Sequence, residues 1–164
     1  QYLRRRFAPR AAGSGGAASG QLHGRIVALD LLEFEAIEDV HYIQGDFRDD
    51  AVLQQLVAHM DGQRADVVVS DMAPNLSGIE SADAARIEHL IELGLDFARH
   101  HLKPGGAMVA KVFHGAAYNP LLDRFKAVFR VVKPLKPKAS RDRSAETFLV
   151  GIGLKSASGR RHAA

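Results

Sequence analysis

The chain has 164 residues, 46% of them hydrophobic and 25% charged, with no cysteine and a formal net charge of +3. These values describe one globular domain with a single core, and they exclude a disordered chain, a disulfide framework and a thiolate metal site. No apolar run is long enough to span a bilayer and no secretory leader pattern is present, so a cytoplasmic protein without membrane contact is expected.

The first residues carry Arg4, Arg5, Arg6 and Arg10 and predict the end of a helix over 1–7. The Gly, Ser and Ala stretch at 11–20 reads as a flexible loop. It lacks the Lys-Ser/Thr of a phosphate-binding P-loop, and no G-x-G-x-x-G follows a strand. Residues 25–30, Arg-Ile-Val-Ala-Leu-Asp, predict a buried strand ending in Asp30. In nucleoside-cofactor folds an acid at such a strand end commonly takes two hydrogen bonds from a ribose diol. A short strand over 40–44 follows, and Gly45 turns the backbone tightly so that Asp46 is free to meet a ligand. Asp49 is placed as the N-cap of a helix through Met60, with Val52, Leu53, Leu56 and Val57 on one face.

Residues 66–75 read Asp-Val-Val-Val-Ser-Asp-Met-Ala-Pro-Asn. The valine run predicts a strand over 67–71 buried on both faces, as in a sheet covered by helices. Pro74 and Asn75 prevent its simple continuation. Ligands of open α/β sheets bind at the carboxyl ends of strands, so Asp71 either serves chemistry there or merely caps the next loop. Ser77-Gly78 reads as a mobile lid beside it. Ile87, Ile91, Leu95, Ala98 and Leu102 keep helical spacing and predict a helix over 82–101, stopped by Lys103-Pro104-Gly105-Gly106. A strand over 107–113 comes next, in which Lys111 interrupts an apolar run. A lysine in a buried strand is costly unless paired, so it is either functional or turned to water at the rim.

Residues 119–129 predict an amphipathic helix with Leu121, Leu122, Phe125 and Val128 inward, and a strand begins at Val131. A basic loop runs from Lys133 through Lys136, Lys138, Arg141 and Arg143, and a strand over 147–152 closes the sheet. The alternation of strands and helices, with a terminal strand pair, argues a doubly wound α/β domain over 1–154 and a polar tail over 155–164. Further basic residues of the last third are Lys126, Arg130, Lys155, Arg160 and Arg161, while the middle is acidic. Basic ends around an acidic centre suit an anionic partner, nucleic acid first, although a solvated surface carries the same pattern. His100, His101 and His114 lack metal-ligand spacing, so no metal is expected. His100-His101 is placed to cap the negative end of its helix.

Asp30, Asp71, Lys111 and Glu146 fall at strand ends or just before a strand, and Asp46 joins them on a loop. In a doubly wound sheet all lie on or beside its carboxyl edge. Acids suit a cofactor rich in hydroxyl and amino groups, and the basic 133–143 segment suits a phosphodiester substrate. Methyl transfer from S-adenosylmethionine to RNA fits this pairing. A Mg-dependent phosphoryl-transfer enzyme using Asp30, Asp46 and Asp71 as ligands would leave Lys111 and Glu146 without roles.

Several motifs in order sharpen the reading: Ser70–Asn75 (SDMAPN), Gly45–Asp49 (GDFRD), Lys111–Phe113 (KVF), Arg25–Leu32 (RIVALDLL), Leu102–Gly106 (LKPGG) and Ser140–Glu146 (SRDRSAE). Together they resemble the FtsJ-like ribose 2'-O-methyltransferases, and among them the bacterial type that methylates a uridine of large-subunit ribosomal RNA. The resemblance runs to about Leu154. It implies a Rossmann-like, doubly wound α/β sheet using S-adenosylmethionine, here lacking the family's first strand and its Gly-rich cofactor loop. The family's Lys-Asp-Lys-Glu tetrad would place its Asp on Asp71, its second Lys on Lys111 and its Glu on Glu146, with the first Lys lying upstream of this sequence. The family's cofactor acids fall on Asp30, Asp46 and Asp71. Implied partners are 23S ribosomal RNA and the large subunit, contacted by Lys133, Lys136, Lys138, Arg141 and Arg143, with the protein acting as a monomer. A catalytically dead, RNA-binding remnant of the family is the alternative.

Overall fold

A computed structural model describes residues 24–74, 77–136 and 146–156. The predicted 1–7 helix end, the 11–20 loop and most of the basic 133–143 segment lie outside the described residues. The chain divides into two compact units, Gln1–Gln63 and Arg64–Ala164.

In the first unit, β1 (Ile26–Asp30) and β2 (Val40–Gln44) pair in parallel, with Asp30 opposite Gln44. The following helix α1 (Asp50–His59) starts where Asp49 accepts a hydrogen bond from the Ala51 amide at 2.8 Å. That side chain satisfies one of the orphan N–H groups of the first turn, so this helix start was legible in the sequence. Gly45 closes the β2–α1 turn, and its amide donates to the Asp30 carbonyl at 2.9 Å. A Cβ built there would sit 2.6 Å from Val52 Cγ2, so the close approach of helix and turn requires glycine.

The second unit holds a four-stranded sheet in the order β3-β4-β6-β5. Its strands are β3 (Ala65–Ser70), β4 (Leu102–Phe113), β5 (Phe129–Leu135) and β6 (Glu146–Leu154). Strands β3 and β4 run parallel, and β6 is antiparallel to both β4 and β5. Helix α2 (Glu80–His101) connects β3 to β4, and α3 (Tyr118–Val128) connects β4 to β5. The core is a single layer between these helices and one sheet face: Ile91, Leu95 and Ala98 of α2, Leu121, Phe125 and Val128 of α3, and Met108, Ala110, Val112 and Leu149 of the strands. Burying a Leu or Phe side chain contributes about 1.5–3 kcal/mol each, which makes this layer the main stabilising feature of the unit. Arg124 of α3 pairs with Glu88 at 3.2 Å and with Glu92, tying the two helices together at their rim.

Two expectations require correction. The valine run is not buried on both faces: Val67 and Val69 remain 52% and 56% exposed. Strand β3 ends its sheet, and α2 and α3 cover one face only, so Val68 packs against the core while its two neighbours face the other way. The second is the start of the next strand, expected at 107: the helix stops at His101 as expected, but no loop separates it from β4. Strand β4 begins at Leu102, which pairs with Ala65, and the register then jumps so that Val67 meets Ala107. The irregularity leaves Pro104, which has no N–H to give, outside the pairing with β3. It is pinned by Arg64 donating to the Leu102 carbonyl at 3.0 Å and by Lys103 reaching Asp66 at 2.6 Å.

Candidate active site

Strand alternation decides where the second unit presents its chemistry. Ala110 and Val112 fill the core, so Lys111 and Phe113 between them face the side that the helices leave open. Register carries this across to β6, where Phe113 is opposite Glu146 and Lys111 opposite Phe148. Lys111 and Glu146 therefore share a sheet face at the carboxyl end of β4. Asp71, the first residue after β3, reaches the same end. Lys111 Nζ stands 2.7 Å from Asp71 Oδ1, with the lysine side chain 14% exposed and the carboxylate 74% exposed. The ammonium also lies 5.9 Å from the Phe113 ring centroid. A lysine inside a strand is thus neither unpaired nor swung out to water. Among the described residues it has one carboxylate partner, which uses one of the three N–H donors of an ammonium.

The acids of the first unit are arranged at the carboxyl ends of two adjacent parallel strands. Asp30 Oδ1 accepts from the Leu32 amide at 3.0 Å, which fixes the carboxylate on an exposed turn. Asp46 departs from the expectation of a free side chain. Arg48 grips it through Nε at 3.0 Å to both oxygens and Nη2 at 2.5 Å, and the Arg48 amide donates to Oδ1 at 2.9 Å. These hydrogen bonds, the side-chain ones foremost, hold the Asp46 carboxyl down at about 2, against an ordinary value of 3.8. Two carboxylates at parallel strand ends suit the hydroxyl and amino groups of a nucleoside, provided Arg48 shares Asp46 with the ligand.

The Arg48 grip gives an expected result. In Arg48→Ala the Asp46 midpoint rises toward 3.8, read by NMR titration of the carboxyl carbon. Because the folded-state value lies below the unfolded one, the pair contributes stability above about pH 4, and that contribution fades as acid carries the carboxyl through its folded midpoint. An unchanged midpoint in the variant would remove Arg48 as the cause.

Among the RNA-facing candidates, Lys133 is exposed on β5 opposite Val150, and Lys136 is exposed just beyond that strand. Lys138, Arg141 and Arg143 lie outside the described residues. Among the described residues no group of three or more metal-ligating side chains occurs. His100 turns back onto its own helix, with Nδ1 2.8 Å from the Asp96 carbonyl, and His101 packs against Phe97.

One residue of this region escaped the sequence reading. Asp83, in the first turn of α2, accepts from the Ser77 amide at 2.8 Å, the Ser77 hydroxyl at 2.7 Å and the Gly78 amide at 2.9 Å. The two Ser77 hydrogen bonds, opposed by desolvation and aided by Gly78 and Arg86, hold its carboxyl below the usual range. Ser77-Gly78 is therefore a turn tied down from inside the helix rather than a loose lid. The available signal was an acid in the first helical turn after Ser-Gly, where exposed backbone amides attract a carboxylate.

The sequence profile of the FtsJ-like methyltransferases matches residues 1–154. The chain belongs to that family. It is 69% identical over 156 residues to Ribosomal RNA large subunit methyltransferase E of Leptothrix cholodnii, covering 95% of this chain and 67% of that protein. It is 67% identical to the protein of the same name from Methylibium petroleiphilum, covering 95% and 70% of the two chains. Among solved structures, a ribosomal RNA methyltransferase candidate from Plasmodium falciparum superposes with a TM-score of 0.70 at 24% identity, over 81% of this chain and 74% of that one. At that identity the likeness speaks for the fold, which is the Rossmann-like architecture of methyltransferases.

Proposed function

We propose that this FtsJ-like methyltransferase transfers a methyl group from S-adenosylmethionine to the ribose 2'-hydroxyl of a uridine in 23S ribosomal RNA, as a cytoplasmic monomer without a metal. The observation that carries the reading is the Lys111–Asp71 pair at the carboxyl end of β4, sheltered on the lysine side and open on the carboxylate side. The donor supplies a methyl group on a sulfonium, which needs no further activation. The acceptor is the difficult partner, because a ribose hydroxyl is a poor nucleophile. Lys111 in its neutral amine form holds the ribose oxygen and takes its proton as general base as the oxygen bonds to the methyl carbon and the carbon–sulfur bond breaks, and Asp71 and Glu146 position the amine and balance the ammonium that results. Orienting that oxygen supplies the larger share of the rate, since alignment of two reactants is worth more than a single proton transfer. Asp30 and Asp46 receive the nucleoside hydroxyl and amino groups, with Asp71 as a third cofactor acid. Lys133, Lys136, Lys138, Arg141 and Arg143 receive RNA phosphates. The names borne by the relatives support the choice of large-subunit ribosomal RNA.

The test uses the full-length protein, S-adenosylmethionine labelled in the methyl group, and 23S ribosomal RNA lacking the modification. The expected outcome is label in one 2'-O-methyluridine, retained in the presence of a chelator and lost when the target uridine is 2'-deoxy. Label in a base, or none with the chelator present, would refute the reading.

A further inference from the structure

The turn that follows β4 carries two rings that the methyl-transfer chemistry leaves unused. His114 comes directly after Phe113, and Tyr118 is the first residue of α3. Their rings stack with centroids 4.7 Å apart and an interplanar angle of 29°. Tyr118 is half-buried against the core, and His114 lies exposed on top of it. Gly115 makes the turn between them with φ +152°, and the Tyr118 amide closes it by donating to the Gly115 carbonyl at 3.1 Å. A stacked pair uses one face of each ring. The histidine's other face is therefore presented to solvent by a ring held from below.

Position gives this face a use. His114 is three residues past Lys111 along the chain, a span of at most about 10 Å. Both belong to the carboxyl end of β4, where the Lys111–Asp71 pair sits. That span bounds the Cα atoms, and an RNA strand whose ribose is held at Lys111 runs on past the end of β4, where its target or a neighbouring base can meet His114. Unpaired RNA bases are recognised chiefly by stacking on aromatic side chains, histidine included, because every base offers a flat face whatever its edge.

We propose that the His114–Tyr118 pair is a stacking platform for an unpaired nucleobase of the RNA substrate, at or next to the target nucleotide. The proposal rests on the RNA methyl-transfer reading and adds to it a base-binding subsite. His114 is the contact surface and Tyr118 is the positioning residue that keeps the imidazole flat. The platform adds affinity without sequence readout and without phosphate contact.

The experiment measures binding of the full-length protein to a fluorescein-labelled decamer of uridine, and to the same RNA backbone carrying abasic sites, by fluorescence anisotropy across a salt series. His114→Ala is expected to weaken binding of the uridine decamer by roughly 5- to 150-fold, the range for loss of one stacked base. Binding of the abasic strand and the slope of affinity against salt stay as in the unaltered protein. His114→Phe, which keeps a flat ring, is expected to remain within about threefold of the original affinity, below the smallest loss expected on removing the stack. Tyr118→Ala follows His114→Ala in direction. Should it unfold the helix start, the exposed His114 still decides the matter, since its removal leaves the core intact. In turnover, KM for RNA rises in His114→Ala while kcat moves less. Unchanged decamer binding in His114→Ala, or an equal loss on the abasic strand, overturns the platform while the methyl-transfer reading stands. An unaltered protein that neither binds the decamer nor methylates ribosomal RNA overturns the reading and the platform together.

Discussion

Lys111→Ala is expected to lower methyl-transfer turnover of the full-length protein by about 10²–10⁴-fold, while the proposed affinity for S-adenosylmethionine is expected to change little. That range is the usual contribution of a positioned acid or base, about 3–5.5 kcal/mol of barrier. The structure explains why activity should fall so much further than stability. The lysine side chain is mostly enclosed, but its partner Asp71 is three-quarters exposed. Removing the amine therefore leaves a carboxylate that water can solvate, and breaking a pair with one exposed member costs about 0–1 kcal/mol. Single-turnover assays with saturating cofactor, together with calorimetric titration of S-adenosylmethionine, separate the two quantities. Retained turnover in Lys111→Ala would withdraw the residue from the chemistry. Loss of cofactor affinity in step with turnover would reassign it to binding. Lys111→Arg keeps a cation beside Asp71 but has no side chain able to take a proton at neutral pH, so it separates charge from base.

Gly151→Ala is expected to destabilise the second unit by about 1–3 kcal/mol or more, the range for forcing extra volume into a packed core. Gly151 lies in β6 beneath the ring of Phe129, and a Cβ built on it would stand 2.2 Å from Phe129 Cδ2 and 2.5 Å from Cγ. The ring has nowhere to go. Phe129 is 1% exposed and its ring centroid is 5.8 Å from that of the fully buried Phe125. Denaturant unfolding should show a lower midpoint at unchanged slope, the signature of lost stability without a change in the unfolded state. Gly105→Ala provides the contrast. A Cβ there meets nothing within 4 Å, so the substitution is expected to be neutral or slightly stabilising. Equal midpoints for Gly151→Ala and the parent protein would mean that the Phe129 contact is looser than drawn.

Glycine is informative here because its two meanings look alike in a sequence. Gly45 follows a short strand and precedes an acid, a local pattern that suggests a tight turn. Gly151 stands between Val150 and Ile152 with nothing nearby in the chain to mark it. The ring that forbids a side chain at Gly151 arrives from β5, more than 20 positions earlier.

Asp49, Lys111 and the apolar spacing of α2 were legible for a common reason: each is governed by neighbours within one helical turn or one strand. A side-chain oxygen ahead of a helix finds an amide two residues on. A lysine amid valines announces its own desolvation problem. The motif order, from the acid ending β1 to the acid opening β6, is likewise legible because each motif is a short run of neighbouring residues. Asp46 was legible in place but not in state, since its grip by Arg48 depends on a rotamer that spacing does not fix.

By itself, then, the amino-acid sequence determined the succession of strands and helices, the residue types available for chemistry and the family to which they belong. Tertiary structure alone decided which acid meets Lys111, which valines stay half exposed, where β4 begins and which glycine lies under a ring. The physical reason is range. Propensity, capping and periodicity act between residues close along the chain, whereas pairing across strands and cover by helices join residues whose separation in sequence carries no trace of their contact.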